Sequence, residues 1–397
     1  MRKPAILGGM PLFPEGLPFA RPPLPSFDKV VERLRPVYET GMITNSLLVR
    51  ELEEKVSSYF GVAQTVAVSC CTSGLLLCVQ ALCDGFAAAV RSQPRVVLPS
   101  FTFSATGHAV VWNGGFPVFA ECNPETYQLD PEDVATRLDG ADLLIGTHVA
   151  GAPCDTEALE GLAKQAGIPF LLDAAHAFGA CARGRRVASF GNAEVFSMSP
   201  TKIVISGEGG LITTDDENLA THLRAARDYG NTGDYNPAFA GLNARMSELH
   251  AAIALASFDE LKEHLDRRVF LAESYRDGLA ELAGVRSQRL LDDTTSTYKD
   301  YSVTINAEEF GVSRSFVATA LRAEGIDTRC YFSPPLHQQK CYSPYNLGKL
   351  AVTEKLSAEV LSLPIWRDMK NEDAEKVISA LWSIHQDREE IEAACAV

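Results

Sequence analysis

Apolar positions along the chain recur in two rhythms. Over Phe27–Thr40 and again over Leu47–Phe60 they return every three or four residues, the spacing of one buried helix face. From residue 65 the rhythm shortens to β-rich runs: TVAVSC (65–70), RVVLPS (95–100), FPVFAE (116–121), DLLIGTHVA (142–150), IPFLLDA (168–174), EVFSM (194–198) and GLITTD (210–215). Helical stretches such as LLLCVQALCD and TEALEGLAKQAG lie between most of them. Apolar strands alternating with amphipathic helices predict an α/β fold with a mostly parallel central sheet covered on both faces.

A helical region over 247–282 leads to a second lobe with strand-like YSVTIN (301–306), a helix at 313–324 and helices near 352–360 and 372–386. The first 25 residues, rich in Pro and Gly, read as an extended arm. The last ten, REEIEAACAV, read as a frayed helical tail. A chain of 397 residues exceeds what one core usually serves. The expected division is an arm (1–25), a large α/β domain (26–260) and a smaller C-terminal α+β domain (261–397).

Charge narrows the partners. With 51 acidic and 36 basic residues the chain carries a formal charge of -15 and lacks the broad cationic field that nucleic acid requires. Ten scattered cysteines form no CxxC pair, and adjacent Cys70 and Cys71 do not resemble a metal knuckle, so no metal is expected. MRKPAILGGM has no signal-type apolar run, and no stretch approaches the ~20 residues of a membrane helix. These features predict a cytoplasmic protein with no membrane partner.

Four features fall at predicted strand ends, where open parallel sheets place their ligands. Lys202, in FSMSPTKIVISGEGG, stands just beyond a strand, between small hydroxyl residues and a Gly-rich turn. A lone lysine is ordinarily a solvated loop residue; this setting suits one that forms a Schiff base, which burial and nearby positive charge keep partly neutral. Asp173 ends the apolar run IPFLLDAAHAFGA. It can cap the next helix or pair with a buried cation such as the pyridine nitrogen of pyridoxal 5'-phosphate (PLP), and Lys202 one strand later favours the second role. His176 is placed to bond the phenolic oxygen of such a ring, although a histidine near a helix start, like His148 at the preceding strand end, is more often a packing or capping residue. The turn SCCTSGLLL offers the hydroxyls of Thr72 and Ser73 and a helix N-terminus to a phosphate, and a plain helix cap has the same composition. Phe103, in LPSFTFSAT, can stack on the ring or fill a core.

The chain resembles the DegT/StrS-type sugar aminotransferases, a branch of fold-type I PLP enzymes, from about residue 20 to 386. The resemblance lies in LPSFTFSATGHAV, GGFPVFAECNPETYQLDPEDV, DAAHAFGA, SMSPTKIVISGEGG, GLNARMSELHAA, YFSPPLHQQKCY and LSLP. It implies a homodimer with shared active sites, PLP as cofactor, Lys202 as the Schiff-base lysine and Asp173 as the pyridinium partner. It puts His176 where many relatives carry Gln, and Phe103 at the ring-stacking position. Thr72, Ser73 and Ser197, with Asn243 from the neighbouring subunit, fall at the phosphate. Two departures stand out: Cys71 replaces the usual Gly before the phosphate-binding Thr, and Ala244 replaces the usual aromatic between Asn243 and Arg245. The family's dehydratases carry His in place of the lysine, and Lys202 argues against that branch.

The implied reaction is ping-pong transamination from L-glutamate to a keto sugar. DAAHAFGA, GLNARMSE and RCYFSPPLH resemble 4-aminating relatives more than 3-aminating ones, which points to a nucleotide-diphosphate 4-keto-6-deoxy sugar. A 3-keto sugar or a keto-inositol is the alternative acceptor, and a non-catalytic protein that kept the fold is a remote one.

Overall fold

The computed structural model describes residues 3–84, 93–234 and 236–395. Helices α1 (Phe27–Thr40) and α2 (Leu47–Phe60) have the bounds their apolar spacing predicts. Strands β1 (Gln64–Val68), β2 (Arg95–Pro99), β3 (Phe116–Ala120), β4 (Leu143–Thr147) and β5 (Phe170–Asp173) follow. Among them lie α3 (Cys71–Asp84), α4 (Ser104–Trp112), α5 (Pro131–Ala135) and α6 (Thr156–Ala166). Two short strands, β6 (Cys181–Ala182) and β7 (Arg185–Arg186), precede β8 (Ala193–Ser197) and β9 (Gly210–Thr214).

The central sheet has seven strands in the order β1-β9-β8-β5-β4-β2-β3. Strand β9 alone runs against its neighbours β8 and β1, so the sheet is mostly parallel. Alternation explains its two covered faces. Leu144, Leu172 and Phe196 enter a core with α2 and the later helix α8 (Glu248–Phe258). Their neighbours Ile145, Leu171 and Val195 enter a second core with α3, α4 and α7 (Glu217–Ala226). Gly74 lets α3 lie close on that second face, since a Cβ there would stand 2.8 Å from Val195 Cγ1.

Beyond α8, helix α9 (Leu261–Leu279) enters a third core with a three-stranded sheet of β10 (Val285–Ser287), β12 (Tyr301–Ile305) and β13 (Val360–Leu363). Strand β11 (Thr294–Thr295) pairs with β6. Helices α10 (Ala307–Phe310), α11 (Arg314–Ala323), α12 (Ala351–Glu359), α13 (Asn371–Gln386) and α14 (Arg388–Cys395) complete the C-terminal half. No helix among the described residues is long and apolar enough to cross a membrane.

Three expectations are corrected. The run at 142–150 is strand only to Thr147; Val149–Gly151 turns over the sheet end, where the Gln128 amide bonds both Val149 and Ala152. The helical region over 247–282 is two helices, broken at Asp259–Glu260, where Asp259 meets Arg33 and Lys55 and Glu260 meets Lys29 and Arg367. The tail is not frayed up to Cys395: α14 buries Ile391 completely in the third core, and residues 396–397 lie outside the described residues. The arm is likewise fastened. Ala5 and Leu12 N–H donate to the Glu324 carboxylate at 2.7 and 3.0 Å, and Leu17 pairs with Ile326.

Candidate active site

At the carboxyl ends of β2, β4, β5 and β8 the sheet opens into a cavity of about 320 Å³. Both Lys202 and Asp173 line it. Asp173 is the last residue of β5, in register with Thr147 on one side and Val195 on the other, and is 4% exposed. Its Oδ2 accepts a hydrogen bond from Thr106 Oγ1 at 2.7 Å, and its Oδ1 accepts one from Ala175 N–H at 3.1 Å. Burial raises its pKa above the usual carboxylate value; Thr106, Ala175 and Lys202 oppose the rise. A buried carboxylate held this way stands ready for a cation.

Lys202 sits between β8 and β9, with its N–H on Ser199 O at 3.0 Å. Burial first and Lys299 second bring its ammonium down to about 8, against the pull of Asp300, Cys71 and Asp173. A substantial neutral fraction near neutral pH is what a nucleophilic amine needs. The Gly-rich turn brings β9 against the start of α3: a Cβ on Gly210 would stand 2.6 Å from Cys71 N and 2.7 Å from Cys70 C.

His176 lines the cavity with a buried Nδ1 that has no hydrogen-bond partner among the described residues; Asp300 Oδ2 is 4.0 Å away. Burial, Lys202 and Lys299 hold its pKa well below the usual histidine value, so the ring is neutral. Its ring stacks at 6.4 Å on Phe332. Phe103, with more than half its surface exposed, lines the same cavity 6.5 Å from Phe332. His148 accepts Cys154 N–H at Nδ1, which leaves Nε2 to donate to Glu194 at 3.4 Å. It is completely buried and forms part of the cavity wall.

Thr72 and Ser197 also line the cavity. Ser73 does not: its hydroxyl donates to Cys70 O at 2.8 Å, a local bond that closes the turn. Asn243 is exposed and away from its own chain's cavity, beside Ala244, whose carbonyl accepts Ser69 N–H at 2.7 Å.

Sequence reasoning missed Thr106, Lys299, Asp300, Tyr331 and Phe332. Thr106 stood in the quoted LPSFTFSAT run, and its three-residue offset from Phe103 was its only signal. Lys299, Tyr331 and Phe332 reach the cavity from the C-terminal half, through contacts that no local pattern records.

These residues fit PLP. A buried carboxylate suits a protonated ring nitrogen, an orphaned imidazole nitrogen suits a ring oxygen, a helix N-terminus beside Thr72 and Ser197 suits a phosphate, and a weakly basic lysine suits an aldehyde.

Fold and cavity together define a PLP-dependent transferase of fold type I. The model of the DegT/DnrJ/EryC1/StrS aminotransferase family matches residues 27–382, and the chain belongs to that family. It is 35% identical to DesI, solved in the presence of its TDP-sugar product, with a TM-score of 0.91 over 99% of both chains. It is 30% identical to the UDP-N-acetyl-3-dehydro-alpha-D-glucosamine 3-aminotransferase of Acidithiobacillus ferrooxidans, over 84% of this chain and 87% of that one. It is 28% identical to the spore coat polysaccharide biosynthesis protein SpsC of Bacillus subtilis, over 89% and 94%. The protein is a sugar aminotransferase that uses PLP.

Proposed function

We propose that the acceptor is a nucleotide-diphosphate 4-keto-6-deoxy sugar, that L-glutamate is the donor, and that a homodimer in the cytoplasm carries out the exchange. The observation that carries the reading is Lys202 and Asp173 on one cavity, in a chain 35% identical over 99% of its length to a protein solved in the presence of its TDP-sugar product.

PLP supplies an electron sink for the charge left on the substrate carbon when its proton departs. Lys202 Nζ would hold the cofactor by its aldehyde carbon; the same amine, when released, would carry the donor's α-proton across to the cofactor and, in the second half-reaction, carry a proton back to the sugar carbon. Asp173 holds the proton on the ring nitrogen through a charge-assisted bond, with Thr106 fixing its carboxylate. His176, neutral, would offer Nδ1 to the ring oxygen, and Phe103 would cover the ring face. Thr72, Ser197 and the α3 N-terminus would bind the phosphate, with Ser73 closing their turn from behind. The apolar face formed by Phe27, Val31 and Tyr38 of α1 with Met42, Ile43 and Leu47 is exposed in the single chain. A second copy covering it would bring Asn243 to the partner's phosphate.

Carbon 4 rests on the resemblance of three motifs. A 3-keto acceptor is the second reading, favoured by the 3-aminotransferase relative at 30% identity. Product analysis with glutamate and a panel of nucleotide-linked 3-keto and 4-keto sugars decides between them. A 4-amino-6-deoxy product is expected, and turnover confined to 3-keto sugars would overturn the assignment.

A further inference from the structure

We propose that Lys299, in its ion pair with Asp300, is a positioning residue of the reaction: it sets a second, fixed positive charge beside Lys202 and so frees that amine to act as a base. The inference rests on the reading of Lys202 as the reactive amine.

Lys299 Nζ stands 2.7 Å from Asp300 Oδ1, and the two side chains are 6% and 3% exposed. A buried ion pair seldom stabilises a fold better than apolar residues of the same volume, so its presence calls for another use. Lys299 lines the cavity that Lys202 lines. Two amines on one cavity wall, partly shielded from bulk water, repel more strongly than they would in solution.

The pair cannot drift. Arg268 Nη1 donates to the carbonyls of Tyr298 and Lys299 at 2.9 and 3.0 Å, and Thr297 Oγ1 donates to His176 O at 2.6 Å. Asp300 N–H meets Ala150 O at 3.4 Å. Besides Cys70, His148 and Tyr331 on the cavity wall, four groups face Lys202 or the space around it. Asp173 beyond β5 and Cys71 at the start of α3 strengthen its hold on the proton. His176 is neutral, and Glu208 stands at the exposed side in the Gly-rich turn. Against these, Lys299 is the charged group that works with burial, and Asp300 limits its effect.

The test is the pH midpoint of the bound cofactor's long-wavelength absorbance in the holoenzyme, which reports the proton on the lysine–cofactor linkage without turnover. Lys299→Met should raise the midpoint by about one unit, since a repelling charge is gone. Asp300→Asn should lower it, and Lys299→Arg should leave it within about 0.3 unit of wild type, because the charge is kept. Opposite shifts from the two halves of one pair are not what loosened packing would produce. If Lys299→Met binds no cofactor, the Asp300→Asn and Lys299→Arg midpoints decide. A midpoint in Lys299→Met equal to wild type, or a fall in Lys299→Arg, overturns the inference. If Lys202→Ala titrates as wild type does, the reading of Lys202 itself fails, which is a different result.

Discussion

Thr106→Val removes one hydroxyl from a completely buried position while keeping the shape of the side chain. That hydroxyl donates to Asp173 Oδ2 at 2.7 Å, and Thr106 is the largest influence opposing the rise that burial imposes on the carboxyl. A hydrogen bond to a charged group contributes about 1.5–3 kcal/mol. If Asp173 must be ionised to hold the ring nitrogen's proton, that loss falls on the reacting state. It converts to a drop in kcat/KM of about 10- to 150-fold. The sign with pH follows. Asp173 already titrates above the usual value, and losing Thr106 moves it higher still. The ionised form, and activity with it, is then lost at a higher pH as the solution is acidified. Steady-state kinetics from pH 5 to 9 should therefore show an acid limb displaced upward in the Val variant. Thr106→Ser, which restores the donor, should return both rate and limb to within about threefold of wild type. A Val variant with wild-type kcat/KM and an unmoved acid limb would refute the reasoning.

Lys202→Ala should abolish turnover while leaving the fold intact, checked by assay and circular dichroism; full activity in that variant removes the reactive amine from the scheme. Asp173→Asn should lower kcat by at least about 100-fold, since a neutral amide cannot hold a charged ring nitrogen, and a near-normal rate would mean another residue governs the ring. Gly210→Ala places a Cβ against the backbone of Cys70 and Cys71. It should push the α3 N-terminus away and weaken cofactor affinity about tenfold, at an overpacking cost of about 1–3 kcal/mol, and unchanged affinity by titration would sink that account. Phe27→Asp with Tyr38→Asp should yield monomers by sedimentation and lose cofactor affinity. Monomers that bind PLP as tightly as wild type would argue that no partner completes the site.

Much of the large sheet was legible because its strands are short apolar runs whose successive residues enter opposite cores, as Leu171 and Leu172 do. Lys202 and Asp173 were legible for a related reason. Each stands where a buried run stops, and β5 and β8 are neighbours in register, so the chain positions both at one edge. What was not legible has physical causes of a different kind. The Ser73 hydroxyl, expected at the phosphate, donates to a backbone carbonyl three residues earlier, a local bond that composition does not reveal. The break at Asp259–Glu260 comes from ion pairs to α1, α2 and the segment after β13, none of them visible in a helical repeat. Lys299 and Asp300 read as a charged loop because burial is a tertiary fact.

The charges of the completed cavity bear on the partner as well. The side-chain amines lining it are Lys202 and Lys299, and the carboxylates close to them are Asp173, Asp300 and the exposed Glu208. His176 is neutral, and His148, whose pKa Cys154 and Glu194 raise against burial, faces the Glu194 carboxylate at 3.4 Å, which balances its charge. A phosphate monoester carries about −1.5 to −2 charges, whereas a helix N-terminus supplies about half a charge. The amides of α3 with Thr72 and Ser197 can orient such a group, but they leave much of its charge unbalanced. Compensation must come from outside this wall. The segment holding Asn243 is exposed beside an apolar face that one chain leaves uncovered, and it carries Arg245, half-buried against Asp228. A second copy delivering that segment would supply further donors, with Arg245 sharing its charge with Asp228, which ties the proposed dimer to cofactor binding and not only to stability.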